Sequence, residues 1–559
     1  MAGKIRNIFR AIYRHEKIFV PLAILLFTII LAIPLYKPGY SVGHDSEYHV
    51  VSIIGLSDST DGKIITGMHG IGYGEGIFYP QLSHYIGVFF YRLIGPFGFS
   101  ALLAAKMANI FMLFCSGLAM YIFLRAVLGE KAKWRNMVAT YLYMGATYHM
   151  SCILIRDAMA ETALYMFIPI VALSVFYLME NNYKKFLLAF VIGVVGCINS
   201  HLVLTVWLAA LCFVFAIYEH KIVFTRKNIL YVLLGCAISL LITLSFWGFM
   251  LICKGACDYY VFSDKMVTNG FSRAHVNLID MLRPQASMSS IRFWLDIVAL
   301  VFCVYMAFFT KKISKKYRGI VRLNLIIIAV LMILVCGIIP IWTWPRLFST
   351  IQFAWRLVTF MVFLLAFSLA ICLNYTPKNI IPALSAIIIA SIVTGVFSIN
   401  GYVKYVYAVN QLDRGNVDYL PIAMLNNYSD ETGYMVDQEH IVLKPEEGRA
   451  EIRNMINHAA SFDFDIETNS KTEVSLPRAY YWGYEATIEY EDGEAKTVDA
   501  DFDELGYVSL TIDRSAHVKL RYTGKAALPI MRAISGITAV SFAGAYIVIY
   551  ARSRKSAKK

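Results

Sequence analysis

The chain has 559 residues, of which 58% are apolar and only 16% charged, and its formal net charge is +13. With a mean hydropathy of +0.58, too few polar residues remain to coat a soluble globule of this size, so its bulk reads as an integral membrane protein. The basic surplus belongs to the apolar part. Residues 400–527 hold 12 Lys and Arg against 23 Asp and Glu, and the remainder holds 39 against 15. Positive-inside loops account for that split without nucleic-acid binding, and no nucleic-acid partner is expected.

In chain order, five basic residues from Lys4 to Lys17 precede an apolar run from Phe19 to Leu35. No small-residue cleavage site follows it, so the run is a retained helix rather than a signal sequence. Apolar length predicts about twelve spanning helices: 18–36, 98–128, 137–155, 160–180, 186–200, 201–219, 229–252, 291–310, 320–341, 354–374, 380–399 and 529–551. Basic clusters recur at Lys131 to Arg135, Lys184 and Lys185, Lys221 to Lys227, Lys311 to Arg318, Lys378 and Arg552 to Lys559. Setting all of them on the cytoplasmic side makes both termini cytoplasmic.

The predicted organisation is a basic N-terminus (1–17), a polytopic core (18–399) with a first external loop over 37–97, an extracytoplasmic β-rich domain (400–527), a last helix (528–551) and a basic tail. Within the loop, the apolar stretch Tyr79–Ile94 is too short to cross and reads as a helix along the outer surface. In the β-rich domain, ATIEYED from Ala486 and YVSLTID from Tyr507 alternate apolar and polar residues, the period of strands, which suggests a small sandwich. The ten cysteines, mostly inside apolar runs, give neither a metal spacing nor a disulfide framework. Cys253 and Cys257 are read as two unrelated thiols.

On this topology the unusual polar groups share the external side. GHDSEYH (43–49) opens the first loop, Arg156, Asp157 and Glu161 lie at a short turn, Asn199 to His201 at the next, and Gln352 and Arg356 begin the tenth helix. Charged groups at helix ends inside a membrane are costly unless paired or solvated, so their gathering predicts a cavity. Asp45 and Glu47, two apart, would share one side of an extended segment, where a carboxylate in a partly dry cavity can serve as a general base. Arg156 and Arg356 suit phosphate, because the guanidinium fork binds it in two places. His44 and His49 lack the further partners of a zinc site, and Trp342, Trp344 and Trp355 fit an interfacial aromatic belt at least as well as a sugar platform.

HDSEYH, GIGYGEGIFYPQLSHY, RDAMAE, NSH and QFAWR, spread over about residues 18–400, resemble the bacterial membrane proteins labelled "6-pyruvoyl-tetrahydropterin synthase related". An acidic residue in the first external loop, a polytopic core and a late extracytoplasmic module resemble the GT-C class of glycosyltransferases. Ala354 and the pair Glu75-Gly76 depart from the pattern, standing where a proline and a proline-aromatic pair are expected. The resemblance implies transfer of a sugar from a polyprenyl-phosphate-linked donor to an extracytoplasmic glycan or lipid acceptor. Asp45, with Glu47 second, becomes the base or the ligand of a divalent metal. Arg156 and Arg356 become donor-phosphate residues, with Glu161, His201 and Gln352 beside them in the substrate site. Two other classes stay open: a lipid-linked saccharide flippase, for which midmembrane polar groups and an internal repeat would be expected, and a non-catalytic envelope-assembly protein.

Overall fold

The long apolar runs fold as helices, which satisfy each backbone N–H and C=O within the segment itself. The computed structural model describes residues 15–36, 40–58, 65–66, 70–264, 276–282, 291–340, 343–400, 403–406, 417–425 and 437–556. Among the described residues, eight helices are long and apolar enough to cross a membrane: Glu16–Leu35, Ala101–Leu128, Met159–Met179, Tyr183–Ser200, Lys315–Val335, Ala354–Asn374, Ile381–Ile399 and Ala527–Arg552. Arg226–Ile242 and Leu244–Ala256 make a ninth if taken as one span, bent by 69°.

The difference from twelve has local causes. The segment expected as one helix over 137–155 divides at Ala146, whose ψ of 133° ends the helix Lys133–Gly145 before Thr147–Ser151 begins. Over 291–310, helix starts only at Ile297, where the Asp296 carboxylate caps it by accepting the Ala299 N–H at 2.9 Å. The helix expected at 201–219 is the 17-residue Leu202–Tyr218, just under a full crossing.

The chain forms two compact units. The first comprises Met1–Val50, Leu82–Cys236 and Thr268–Gln411. Its centre is the Ala354–Asn374 span, 83% buried. A short antiparallel ribbon joins β1 (Tyr40–Val42) to β2 (Lys404–Val406). The helix Leu82–Ile94 buries Ser83, His84, Gly87 and Val88 and turns Tyr85, Phe89 and Leu93 outward. Its 13 residues rise about 20 Å, too little to cross a bilayer.

The second unit comprises Val51–Gln81, Ala237–Val267 and Leu412–Lys559. It contains the β-rich domain, two antiparallel sheets of order β3-β6-β10-β9 and β4-β5-β11-β7-β8. The strands are β3 Val442–Pro445, β4 Ala450–His458, β5 Ser461–Thr468, β6 Thr472–Ala479, β7 Tyr484–Tyr490, β8 Ala495–Asp499, β9 Asp501–Phe502, β10 Tyr507–Ile512 and β11 Ala516–Tyr522. In β5 and β7 inward residues alternate with more exposed ones, as a period of two requires. Arg478 on β6 is wholly buried. It donates through Nη1 to the Ala459 carbonyl (2.8 Å) and through Nη2 to Asn457 Oδ1 and to the carbonyls of His458 and Ser461. The domain continues into the Ala527–Ser556 helix. Ser535 Oγ accepts the Ser245 N–H and donates to the Leu241 carbonyl, both at 3.1 Å. Only 6% of the Ala527–Arg552 span is buried, so nearly all its apolar surface needs an apolar environment other than this chain.

Candidate functional site

The polar groups singled out in the sequence meet in the first unit. The chain enters them at Gly43, whose missing side chain is a requirement. A Cβ there would stand 2.6 Å from Asp157 Cβ and 2.7 Å from the Arg156 carbonyl carbon. Two backbone hydrogen bonds follow, from His44 N–H to the Ile155 carbonyl (3.1 Å) and from Asp45 N–H to the Arg156 carbonyl (2.9 Å). A helix, Ser46–Asp58, follows directly, its first turn closed by the His49 N–H donating to the Asp45 main-chain carbonyl at 3.1 Å.

That helix corrects the extended geometry expected for GHDSEYH. Residues two apart on a helix point to different sides rather than one. Asp45 and Glu47 therefore do not share a face. Asp45 lies close enough to Arg156 and Asp157 to act on both electrostatically, whereas no side-chain hydrogen bond or ion pair is found for Glu47 among the described residues.

The opposite wall is built by the helix Thr147–Ser151, which widens into a π turn over Cys152–Arg156 and ends at Asp157 in the left-handed region, φ 55°. The next helix, Met159–Met179, brings Glu161 back toward Arg156 in its first turn. Arg156 Nη1 donates to Glu161 Oε2 at 2.6 Å, and both side chains are buried. Glu161 Oε1 accepts from Tyr148 OH (2.7 Å) and Thr359 Oγ1 (3.0 Å). With three donors on one carboxylate, Glu161 is well satisfied.

Arg356 is different. Its Nη1 donates to the Ile351 carbonyl (3.0 Å) and to Gln352 Oε1 (3.2 Å), and its guanidinium lies over the Phe353 ring at 5.2 Å. Its Nε is buried with no hydrogen-bond partner, and no carboxylate pairs with it among the described residues. Gln352, held at φ 65°, thus steadies Arg356. His201 caps the helix Leu202–Tyr218, its Nδ1 accepting the Leu204 N–H at 3.4 Å. Arg356 and His201 both act electrostatically on Glu161. Charge therefore runs from Asp45 through Arg156 and Glu161 to Arg356. Of the seven candidates only Glu47 stands apart.

Asp157, named in the sequence without a role, is joined here by residues that the sequence did not single out as candidates. Asp157, 4% exposed, accepts from Ser46 Oγ (2.6 Å) and Asn109 Nδ2 (2.5 Å) and lies near Lys106. Lys106 and Asn109 stand three apart in the first half of a mostly apolar 28-residue helix, a spacing that sets both on one face and is the available signal. His49, set aside in the sequence, is buried and shares a hydrogen bond of 2.7 Å between its Nδ1 and His84 Nε2. The Met159 N–H directed at His49 Nε2 (3.4 Å) assigns the shared proton to Nδ1. Burial, then His84 and Arg156, hold His49 well below its ordinary range, so it stays neutral. Trp355 stacks on Phe353 at 4.5 Å and is 8% exposed, which leaves no open face for a sugar.

Burial pushes the Asp157 carboxyl up from 3.8 to about 6, with the Asp45 charge adding and Ser46, Asn109 and Lys106 opposing. Between roughly pH 4 and 6 the folded chain holds a proton that the unfolded chain has released, so stability falls as pH rises through that window and levels off above it. The loss is at most about 3 kcal/mol. Unfolding midpoints from pH 4.5 to 7.5 should slope downward in the native protein and lose this component in Asp157→Asn.

An apolar cavity of about 140 Å3 lies in the same unit, lined by Phe123, Ile168, Leu208, Phe215, Ile320 and Phe360 among others. Phe360 follows Thr359 of the polar cluster directly. Among the described residues no group of three or more His, Cys, Asp or Glu is arranged to hold a metal ion. No family model matches this chain, and no curated protein matches it.

Proposed function

We propose that this chain is a multi-pass membrane glycosyltransferase of GT-C type, with both termini cytoplasmic and up to twelve crossings, similar to the "6-pyruvoyl-tetrahydropterin synthase related" proteins. It moves a sugar from a polyprenyl-phosphate-linked donor to an extracytoplasmic glycan or lipid. The observation that carries this is the presence, in one unit, of a half-buried carboxylate, Asp45, that acts on Arg156, and of a guanidinium, Arg356, that has no paired carboxylate among the described residues and acts on Glu161, with Arg156 and Glu161 joined in a buried ion pair.

In the reaction Asp45 takes the proton from the acceptor hydroxyl as its oxygen attacks the anomeric carbon. The bond from that carbon to the lipid phosphate breaks, and the phosphate leaves with the electron pair. Arg356 is the better partner for that developing charge, since Arg156 already serves Glu161. The neighbouring apolar cavity suits part of the donor's isoprenoid chain. Asp45→Ala and Asp45→Asn should each abolish cell-surface glycan transfer at normal protein levels. Unchanged transfer by both removes Asp45 from the mechanism and leaves a flippase or an assembly protein as the better description.

A further inference from the structure

The four residues Gly43 to Ser46 carry the base of the proposed reaction, and a chain of hydrogen bonds through Ser46 ties them to Asp157. Gly43 N–H donates to Ser46 Oγ at 2.7 Å, and that hydroxyl passes its proton to Asp157 Oδ2 at 2.6 Å. Asp157 Oδ1 is held from the other side by Asn109 Nδ2. The His44 and Asp45 amides then complete the seam on the Ile155 and Arg156 carbonyls. We infer that Asp157 is a positioning residue, its carboxylate clamping the Gly43–Ser46 loop onto the 155–157 backbone so that Asp45 stands against Arg156. The clamp rests on geometry alone. Its catalytic meaning rests on the proposed transferase.

Asparagine is the informative replacement. It tolerates the left-handed φ of 55°, and its carbonyl oxygen still accepts from Ser46. Its amide meets Asn109, whose Oδ1 is buried without a partner. An amide side chain can present either atom, so Asn109 need only turn over to accept from the new donor. Asp157→Asn therefore preserves the clamp and removes only the charge. Asp157→Ala removes both, and Ser46→Ala cuts the link while leaving Asp157 intact.

The test is hydrogen exchange, followed by mass spectrometry on the full chain in lipid nanodiscs. In Asp157→Ala and Ser46→Ala the peptide spanning Gly43–Ser46 should exchange about tenfold faster or more, the scale of losing a charged hydrogen bond. Asp157→Asn should stay close to the native rate, and the Ala101–Leu128 helix should keep its protection. If Asp157→Ala loosens that helix as well, Ser46→Ala alone decides. Native exchange in both Ser46→Ala and Asp157→Ala overturns the clamp. In glycan transfer, Asp157→Asn should recover most of what Asp157→Ala loses. An Asp157→Asn protein with native exchange and no transfer would show that Asp157 acts through its charge, and would equally overturn a positioning role. Should Asp45→Ala and Asp45→Asn transfer normally, the transferase fails while the exchange result stands by itself.

Discussion

Arg156→Met, with Glu161 left in place, is expected to cost about 3–5 kcal/mol of stability, because a buried carboxylate loses its counter-ion in a place where water cannot replace it. Tyr148 and Thr359 still donate to Glu161 Oε1, but two neutral hydrogen bonds do not neutralise a charge. The double variant Arg156→Met, Glu161→Leu should recover much of the loss, since apolar replacement of a whole buried pair is often near neutral. Thermal unfolding in detergent, run as a double-mutant cycle, measures the coupling. A single-variant loss below about 1 kcal/mol would place the pair in the class of solvated surface bridges and contradict its burial.

A loss of similar size is expected in the second unit from Arg478→Met. Four acceptors converge on that guanidinium, three of them main-chain carbonyls. Methionine fills the space but leaves those carbonyls buried without donors, at roughly 1–3 kcal/mol for each that water does not reach. Burial already holds the arginine pKa below its ordinary value, a sign of how far it stands from solvent. Arg478→Lys should recover only part of the loss, because one ammonium cannot span the fork. Loss of β-sheet signal on heating reports the domain directly. An unchanged transition in Arg478→Met would show that the carbonyls find water.

How much of this was legible in the residues depended on the length scale of the cause. Length and apolarity alone exposed Ala101–Leu128, Ala354–Asn374 and the last helix, and alternation exposed β7 and β10. The Ser46–Asp58 helix has a serviceable start in Asp45 followed by Ser46 and Glu47, but the polarity of the run suggests an extended loop instead. The left-handed Asp157 and the π turn before it could not be read locally, since they are fixed by Ser46, Asn109 and the seam with residues 43–45. The commitment of Arg156 to Glu161, and the contrast with Arg356, likewise depend on which donors surround one carboxylate.

The β1–β2 ribbon has a consequence for how the protein is made. Tyr40–Val42 leads into the Asp45 loop, yet its partner Lys404–Val406 leaves the ribosome more than 350 residues later, on the order of half a minute at roughly ten residues per second. Throughout that interval the edge of Tyr40–Val42 is unpaired and open to a wrong strand. Synthesis and site assembly are therefore separated in time: a nascent chain halted before residue 404 already contains Asp45, Arg156 and Arg356 but lacks the strand that ties down the approach to the first of them.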